Sequence, residues 1–532
     1  MVNSAVNSVV ELRRCLAAMA GMLLLLSQTA CQPQRQDSRL IVASAGKIKS
    51  LDPAQASTFD VLQLLSALGD PLYRLDAAGK LQPRLAESLP TITDQGLTVS
   101  IPLRRDVLFH DGTRFDAKAM AFSIERFLRI GNLSYIVGGR IAAIETPEPY
   151  LLRLKLTRPS SSLEGLLTSI NLTPVSPTAY ADHNDRFLNK RFVGTGPYRL
   201  SRFEEEQQRL EPFPGYWGTP PSNAGIDLIS LSNSTALFGA LLSKEVDVLL
   251  SNSLDEDQRR ALNRMATAGQ LREGEGPALE IGYITLLSNS APLNQPRLRQ
   301  ALAHSIDRSL ISKRVSYGLR QPLRSLIPPS LLGGQREPWP TYAPERARSL
   351  LKLSGYCKGN RLTVPLTFRS NVPADKLLAL TWQAQVSRDL SDCLNLELDS
   401  VESTTVYRQL GKGAYKAVIL DWRGSYPDPE SYLMPLLSCS RSTGSVCEQG
   451  EASISGSFWT SPGLEQSLLR SDEQRGPARL QQLESIEEVA ASGAAYIPVW
   501  LVTPRAWSQT NLAEPEFDGS GQVLLERLRQ LS

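Results

Sequence analysis

Residues 362–398, which read LTVPLTFRSNVPADKLLALTWQAQVSRDLSDCLNLEL, contain the pattern that decides the fold class. The runs 362–368 and 394–398 are short and rich in leucine, as expected of buried strands. Residues 374–390 lie between them and have the length and composition of a helix. A strand, a crossover helix and a second strand in this order give parallel strands that are often neighbours in one sheet. The stretch therefore predicts a protein of α/β or α+β type.

The sequence on either side predicts further strands and helices of the same mixed kind. Residues 97–103 alternate apolar and polar side chains, which indicates a strand, and Pro102 favours an edge position because it donates no ladder hydrogen bond. Two helices are predicted from apolar residues three or four positions apart. The first follows a capping Asp116 and has the apolar stripe Met120, Ile124, Phe127 and Leu128. The second starts near Pro296 and has the stripe Leu298, Leu302, Ile306 and Leu310. A further helix is predicted over residues 344–354, with Gly355 as its stop.

The length and composition of the chain exclude several classes of protein. With 532 residues it is longer than one ordinary domain, so two or three lobes are expected. The net charge is only +3 and no basic stripe with interleaved aromatics occurs, so nucleic acid is not an expected partner. The three histidines, His110, His183 and His304, are far apart in sequence, which argues against a metal site built from several histidines.

The N-terminus has the pattern of an export signal, which we assign to residues 1–31. Two arginines precede an uncharged apolar run at 15–26, which is shorter than the about 20 residues that span a bilayer. The following SQTAC at 27–31 resembles a bacterial lipobox, in which Cys31 is acylated and becomes the mature N-terminus, although Gln28 stands where that motif has an aliphatic residue. A plain secretory signal is the alternative. The polar residues 32–38 are then a short tether.

Export changes the expected state of the remaining cysteines. Four are left after Cys31, and an even number in an oxidising compartment indicates disulfides. Cys357 and Cys393 precede the two parallel strands and so lie at one edge of the sheet, which makes a bond between them geometrically reasonable; Cys439 and Cys447 can close a small loop. Metal binding is the rival interpretation, but the sequence has neither a CxxC pair nor a histidine near these cysteines.

Signatures of catalysis are missing from the sequence. It contains no GxSxG, no HExxH and no phosphate-binding GxxxxGK[ST] loop. The glycine pairs at 194–196 and 274–276 lack the third glycine of a dinucleotide fingerprint and are each followed by proline, which is typical of a fixed turn. A pair of carboxylates acting on a glycosidic bond stays open on sequence alone. We therefore predict no catalytic residues, no metal ligands and no cofactor.

Several short segments stand in a recognisable order along the chain. They are SLDP at 50–53, DPLYR at 70–74, LQPRLAES at 81–88, LRRDVLFHDG at 103–112, VGTGPY at 193–198, EVDV at 245–248, RQA at 299–301, WRGSYPDP at 422–429 and IP at 497–498. Together they resemble the signatures of the extracellular solute-binding proteins of family 5, which serve oligopeptide, dipeptide and nickel ABC importers. One departure in these segments is Glu245, which stands where the family has glycine.

The resemblance implies a periplasmic-binding-protein-like α/β fold of type II, a three-lobed Venus flytrap with discontinuous domains. It places 39–72, 190–282 and 495–532 in lobe I, the insertion 73–189 in lobe II, and 283–494 in lobe III. The implied function is the capture of a peptide or peptide-like solute in the cleft between lobes I and III, and its delivery to an ABC permease with its ATPases. The implied protein is a monomer in the periplasm, anchored to a membrane by its lipid. The alternatives are a secreted cleft hydrolase or transferase, and a peptide-sensing receptor without a transport role.

The resemblance also implies where the ligand binds. One wall is the segment formed by Asp421, Trp422, Arg423, Gly424, Ser425 and Tyr426; the other is the backbone of Ser44, Ala45 and Gly46. Trp422 and Tyr426 can stack on a ligand and Arg423 can face a carboxylate, with a core position as the alternative for Trp422. Lys47 and Arg369 are weaker candidates, expected to be solvated. Peptide binders of the family have an acid at the position of Ser425, which pairs with the ligand's amino terminus, so free-amine peptides are in doubt and Asp421 is the substitute if the strand register slips.

Overall fold

The structure, a computed structural model, describes residues 38–77, 79–231, 233–250 and 254–531. The predicted signal, Cys31 and most of the tether lie outside the described residues. From Leu40 onward the chain forms one compact unit. None of the helices in the described ranges combines the length and apolarity needed to cross a membrane.

The strand–helix–strand unit predicted from residues 362–398 is confirmed. Its elements are the strand Leu362–Arg369, the helix Pro373–Asp389 and the strand Leu394–Val401. The two strands pair in parallel with Leu362 opposite Leu394. Leu378 and Trp382 of the helix are fully buried and pack on the sheet, which holds the crossover in place.

Within the described residues, this unit belongs to a sheet of six strands. In spatial order the strands are Gln321–Pro322, Tyr496–Val502, Glu280–Leu286, Ala417–Arg423, Leu362–Arg369 and Leu394–Val401. Helices cover both faces of this six-stranded sheet, so it carries one apolar core on each side. The helices on the two faces include Pro296–His304, Arg308–Ser316, Pro344–Leu353, Pro373–Asp389, Glu430–Leu437, Leu464–Glu473 and Gly476–Gly493.

The largest sheet has seven strands in the described part of the chain. In spatial order they are Arg272–Glu275, Arg505–Ser508, Val248–Leu250, Leu40–Ser44, Ile226–Ser230, Gln207–Pro212 and Tyr198–Phe203. The helices Ser234–Leu242 and Glu256–Thr267 pack on one face. The helix Phe59–Leu68 packs on the other, where a core continues without interruption into residues 73–189.

Residues 73–189 contribute a separate four-stranded sheet. Its strands, in spatial order, are Thr91–Thr93, Thr98–Pro102, Leu151–Leu156 and Ile141–Glu148. The predicted edge position of the strand ending at Pro102 is wrong, because this strand has a neighbour on each side. The three-residue neighbour Thr91–Thr93 stops at Ser100, so Pro102 does not need to donate a hydrogen bond to it.

The predicted helices are partly confirmed. The helix after Asp116 spans Ala117–Ile130, and an Asp116 carboxylate oxygen accepts from the Ala119 N–H at 2.8 Å. The single helix predicted after Pro296 is wrong, since it ends at His304 and Asp307 caps a new helix, Arg308–Ser316. Both helices still point their apolar residues into one core, which is why the stripe looked continuous.

The remaining elements are short or peripheral. The other helices of at least eight residues include Ser403–Leu410, and the four-residue helices are Leu163–Leu166, Pro177–Tyr180, Pro329–Leu332 and Glu451–Ile454. Single 3-10 turns lie at Asp94–Gly96, Ser134–Ile136, Ile170–Leu172, Ala181–His183 and Leu525–Arg527. Two small hairpins pair Tyr73–Leu75 with Leu81–Pro83 and Arg441–Thr443 with Val446–Gln449. Disulfides join Cys357 to Cys393 and Cys439 to Cys447.

The chain crosses between the seven-stranded and six-stranded sheets at two adjacent places. One crossing lies at 276–279 and the other at 503–504, and the Gly276 N–H donates to the Pro504 carbonyl at 2.9 Å. The strand Tyr496–Val502 pairs in the six-stranded sheet, although the boundary drawn at 494/495 assigns it to lobe I. The boundary drawn at 282/283 likewise cuts the strand Glu280–Leu286. Strand pairing, which the sequence does not show, moves both borders to the crossings.

Candidate functional site

The main cavity lies between the seven-stranded and six-stranded sheets, beside the two crossings. Its volume is about 670 Å³, and residues from both sheets and their helices line it. Ala45, Phe59 and Glu256 contribute from the side of the seven-stranded sheet, and Asp421 and Trp500 from the other. A cavity of this size between two sheets joined by two chain crossings can enclose a small solute.

The strand Ala417–Arg423 contributes Leu420, Asp421 and Arg423 to the wall of this cavity. It pairs antiparallel with Glu280–Leu286, so that Arg423 lies opposite Glu280 and Asp421 opposite Gly282. Asp421 and Arg423 share one face of the sheet because side chains alternate along a strand. Both residues line the main cavity.

The structure does not bring Trp422 to the cavity. Its side chain is on the opposite face of the strand, where it packs against the core of the six-stranded sheet. The indole N–H donates to the Ser431 carbonyl at 2.9 Å, which satisfies its polar atom. The core alternative considered for Trp422 therefore describes its position.

Asp421 is already engaged by a buried arginine. The Arg369 guanidinium donates to Asp421 at 2.6 and 3.1 Å and to Asp375 at 2.7 Å. Arg369 is only 4% exposed, so the expectation that it is solvated is wrong. Since both oxygens of Asp421 already accept from Arg369, fewer acceptor positions remain for a ligand cation.

A second, smaller cavity of about 300 Å³ adjoins the first and shares Phe59, Leu279 and Arg423 with it. Gly424, Ser425 and Tyr426 line this cavity. Gly424 is packed so tightly that an added Cβ would lie 2.1 Å from the Ser431 hydroxyl. The loop after the strand is thus fixed by packing, and it presents the neutral Ser425 to the cavity.

Tyr426 connects the two halves of the molecule. It is 5% exposed and belongs to the core shared by the seven-stranded and four-stranded sheets, although it follows a strand of the six-stranded sheet. Its hydroxyl donates to the buried Glu430 carboxylate. Burial and the neighbouring Glu430 charge raise the pKa of Tyr426 well above its ordinary value, so it stays a neutral donor.

Of the opposite wall predicted at Ser44, Ala45 and Gly46, the structure brings only Ala45, directly after the strand Leu40–Ser44, to the lining of the main cavity. Ser44 is buried, and its hydroxyl has no hydrogen-bond partner among the described residues. Gly46 has no room for a side chain because an added Cβ would lie 1.9 Å from an Asp60 carboxylate oxygen. In this structure, the missing side chain of Gly46 therefore allows Asp60 to approach the backbone closely.

Several cavity residues were missed by the sequence analysis. The Trp500 ring lies across Gly282, where an added Cβ would be 2.0 Å from the indole nitrogen. Arg320 lies over the Trp500 ring at 4.8 Å and pairs with Glu256 at 2.8 Å. Gly282, inside an otherwise apolar strand pattern, was a usable signal, since such a glycine often marks a close approach. Arg320 and Glu256 are ordinary surface residues by sequence, and no local pattern marks them.

Several polar contacts join the helices and loops of the six-stranded sheet to the rest of the molecule, and two of them differ in their position relative to the main cavity. The 256–320 contact comprises the Glu256–Arg320 ion pair beside the main cavity. The 140–472 contact lies away from it and comprises buried side chains of Arg140, Ser160, Ser162, Glu430 and Asp472. Both contacts bridge the six-stranded sheet's helices and loops to residues outside that part of the molecule.

Comparison with known proteins identifies what this architecture is similar to. The family model for bacterial extracellular solute-binding proteins, family 5 (middle), matches residues 80–444. The glutathione-binding protein GsiB of Salmonella paratyphi A is 28% identical over 365 residues, which are 68% of this chain and 69% of the relative. GsiB of Shigella flexneri is 28% identical over 361 residues, 65% of this chain and 66% of the relative.

Solved structures show the same fold. A dipeptide-binding protein from Pseudoalteromonas sp. SM9913 in complex with Met-Leu has a TM-score of 0.77 at 21% identity, covering 92% of this chain and 100% of that one. NikA from Brucella suis in complex with Fe(III)-EDTA has a TM-score of 0.81 at 20% identity, covering 93% and 100%. The chain therefore has the three-dimensional fold of the periplasmic binding proteins.

Proposed function

Because the chain belongs to the bacterial extracellular solute-binding proteins of family 5, we propose that it is the substrate-binding component of an ABC importer. It acts outside the cytoplasm, captures a peptide or peptide-like solute, and delivers it to permease subunits that work with ATPases. The relatives compared above are named as binding proteins rather than enzymes. Glutathione, the ligand in the name of the GsiB relatives, is itself a tripeptide and supports this class of solute.

The observation that carries the proposal is the main cavity of about 670 Å³ between two sheets. The sheets are joined by neighbouring crossings at 276–279 and 503–504, which is the arrangement that a hinge requires. A ligand that contacts both walls binds the closed form better than the open form and so shifts the population toward closure. The closed form is then the signal that a permease reads.

The three sheets also support a division of the molecule into three lobes. We assign the seven-stranded sheet to lobe I, the four-stranded sheet within 73–189 to lobe II, and the six-stranded sheet to lobe III. The continuous core between the first two sheets supports their moving together. Arg423 lines both cavities, and we propose that it faces a ligand carboxylate.

Thermal unfolding of the purified protein tests the function. The protein is partly unfolded and refolded to remove bound solute, and its melting temperature is measured with glutathione, dipeptides, tripeptides, N-acetylated peptides, sugars and metal chelates. A ligand of the native state at a hundred times its dissociation constant adds about 2.7 kcal/mol, which a melt resolves easily. A shift with peptides supports the proposal. No shift with any solute, together with turnover of one of them, would point to an enzyme instead.

The membrane anchor is a separate proposal that rests on the sequence. Cys31 in SQTAC is the residue we expect to carry the lipid, and a monomer held in this way remains free to close around its ligand. Cys31→Ser should release the protein from the membrane fraction into the soluble fraction of the envelope. Unchanged membrane association of this variant would contradict a lipid anchor at this cysteine.

A further inference from the structure

The wall of the main cavity is rich in charged side chains, and most of its acids are already engaged. Asp255 caps a helix by accepting from the Gln258 N–H at 2.9 Å. The other engaged acids are Glu256 with Arg320, and Asp375 and Asp421 with Arg369. The exception within the described residues is Glu280, whose carboxylate accepts no hydrogen bond and has no ion-pair partner.

Glu280 is placed where a ligand reaches it. It is the first residue of the strand Glu280–Leu286, next to the crossing at 276–279, and it lines the main cavity. It lies opposite Arg423 in the antiparallel register and on the same sheet face as Asp421. Burial, and secondly the Asp421 charge, raise the pKa of Glu280 above its ordinary value, although Arg320 and Arg423 oppose the shift.

A half-buried carboxylate without a partner is unfavourable, because it has lost part of its hydration and gained no hydrogen bond in return. Among the described residues the protein supplies no such partner, and Glu280 faces the cavity, so a ligand there can provide one. An ammonium group fits this position best, because it carries the opposite charge and three N–H donors. Asp421 is a weaker alternative because both of its oxygens already accept from Arg369, and Ser425 has no charge.

We propose that Glu280 recognises the ammonium group of the ligand and makes the protein selective for free-amine peptides. This inference rests on the proposed function and names the ligand chemistry within it. Glu280 thus supplies, from a neighbouring strand, the negative charge that Ser425 lacks. Arg423, its cross-strand neighbour, offers the complementary cation for a ligand carboxylate.

Matched peptides test the inference. Binding of trialanine, N-acetyl-trialanine and glutathione is measured by calorimetry for the wild type, Glu280→Gln and Glu280→Asp. The wild type should prefer trialanine over its acetylated form by about 10- to 100-fold, the range expected for one charge-assisted hydrogen-bonded pair. Glu280→Gln should remove this preference by weakening trialanine binding, with little effect on N-acetyl-trialanine. Glu280→Asp should keep part of it because the charge remains.

Glu487→Gln is the matched control, because Glu487 is a buried acid far from the cavity lining that is held by the Ser325 hydroxyl at 2.7 Å. It should bind all three peptides as the wild type does. Peptide binding with equal affinity for free and acetylated forms, or an unchanged preference in Glu280→Gln, overturns the role of Glu280 and leaves the proposed function standing. If the wild type binds none of the three peptides, the role of Glu280 is overturned, and the melting-temperature screen with other solutes decides the proposed function separately.

Discussion

The 140–472 contact and the 256–320 contact bridge the same two halves of the molecule, yet they differ in how completely their charges are satisfied. In the 140–472 contact, the Arg140 guanidinium donates to Glu430 and, at 2.6 Å, to Asp472. Asp472 also accepts from the Ser162 N–H at 2.9 Å and the Ser162 hydroxyl at 2.6 Å. Both acids and the arginine are buried.

The 256–320 contact is incomplete by comparison. Arg320 donates to one oxygen of Glu256 at 2.8 Å, while the other oxygen is buried and has no hydrogen-bond partner among the described residues. Both residues line the main cavity. The difference indicates that the acids of the 140–472 contact are saturated for stability, whereas the 256–320 contact retains an acceptor oxygen that a ligand can use.

Removal of Arg140 should have the largest effect. In Arg140→Met, Glu430 and Asp472 stay buried without their shared cation, so we expect the free energy of unfolding to fall by about 3–5 kcal/mol. Urea unfolding of the ligand-free protein measures the loss. A change below about 1 kcal/mol would mean that the contact is open to water in solution, because exposed ion pairs contribute little.

The two acids of the 140–472 contact should respond oppositely to pH. Burial alone would raise the pKa of Asp472, but the Arg140 charge and the Ser162 hydrogen bonds outweigh it, and the pKa lies below its ordinary value. Asp472 therefore stabilises the fold above pH about 4, and this stabilisation is lost as the pH falls. Burial raises the pKa of Glu430 despite Arg140, so the stability it contributes is present at acid pH and lost as the pH rises.

Urea unfolding at several pH values separates these effects. Asp472→Asn should cost about 1–3 kcal/mol at pH 7, and this cost should shrink as the pH falls below about 4, because the unfolded carboxylate is protonated first and the wild type then loses its advantage. Glu430→Gln should flatten the decline in stability at rising pH. Glu487→Gln is a comparison away from both contacts: burial raises the pKa of Glu487 to about 7, so this variant should flatten the decline in stability between about pH 4 and pH 7. Parallel pH profiles for Asp472→Asn and Glu430→Gln would contradict the assignment.

The incomplete contact should tolerate substitution better. In Arg320→Gln, water in the cavity can reach Glu256, so we expect a loss of about 1.5 kcal/mol, the low end for a hydrogen bond to a charged group. Urea unfolding of the ligand-free protein measures it beside Arg140→Met. A loss as large as that of Arg140→Met would show that the 256–320 contact stabilises the fold as much as the 140–472 contact does.

The fold could be predicted wherever the residues that form a structural unit lie in one continuous stretch of the sequence. The unit at 362–398 was readable because its strands, helix and crossover all lie in one continuous stretch. The break at Ser305 was not, because Leu302 and Ile306 enter the same core on both sides of it. The crossings at 276–279 and 503–504 also escaped, since sheet membership depends on pairing between distant strands.

The candidate site likewise contains some residues that could be predicted from the sequence and others that could not. The position of Asp421 and Arg423 on a cavity wall was predicted from the family resemblance, and the register of their strand places both on one face. Glu280 and Arg320 were missed because their role depends on which side chains are left without partners, and that is a property of the folded chain. A sequence shows the number of charges but not their pairing.

The Lys47–Glu206 ion pair should have the smallest effect, and it tests whether burial or distance decides. Its N–O distance is 2.6 Å, the same as that of Arg140 to Asp472, but both side chains are 54% exposed. The hydrogen bond from Lys47 to Glu206 raises the pKa of Lys47, yet water and salt screen a pair in this position. Lys47→Gln and Glu206→Gln should therefore melt at the wild-type temperature at physiological salt. A clear drop in either melting temperature would show that a short distance alone stabilises this protein, and burial would no longer explain why the 140–472 contact is the stronger one.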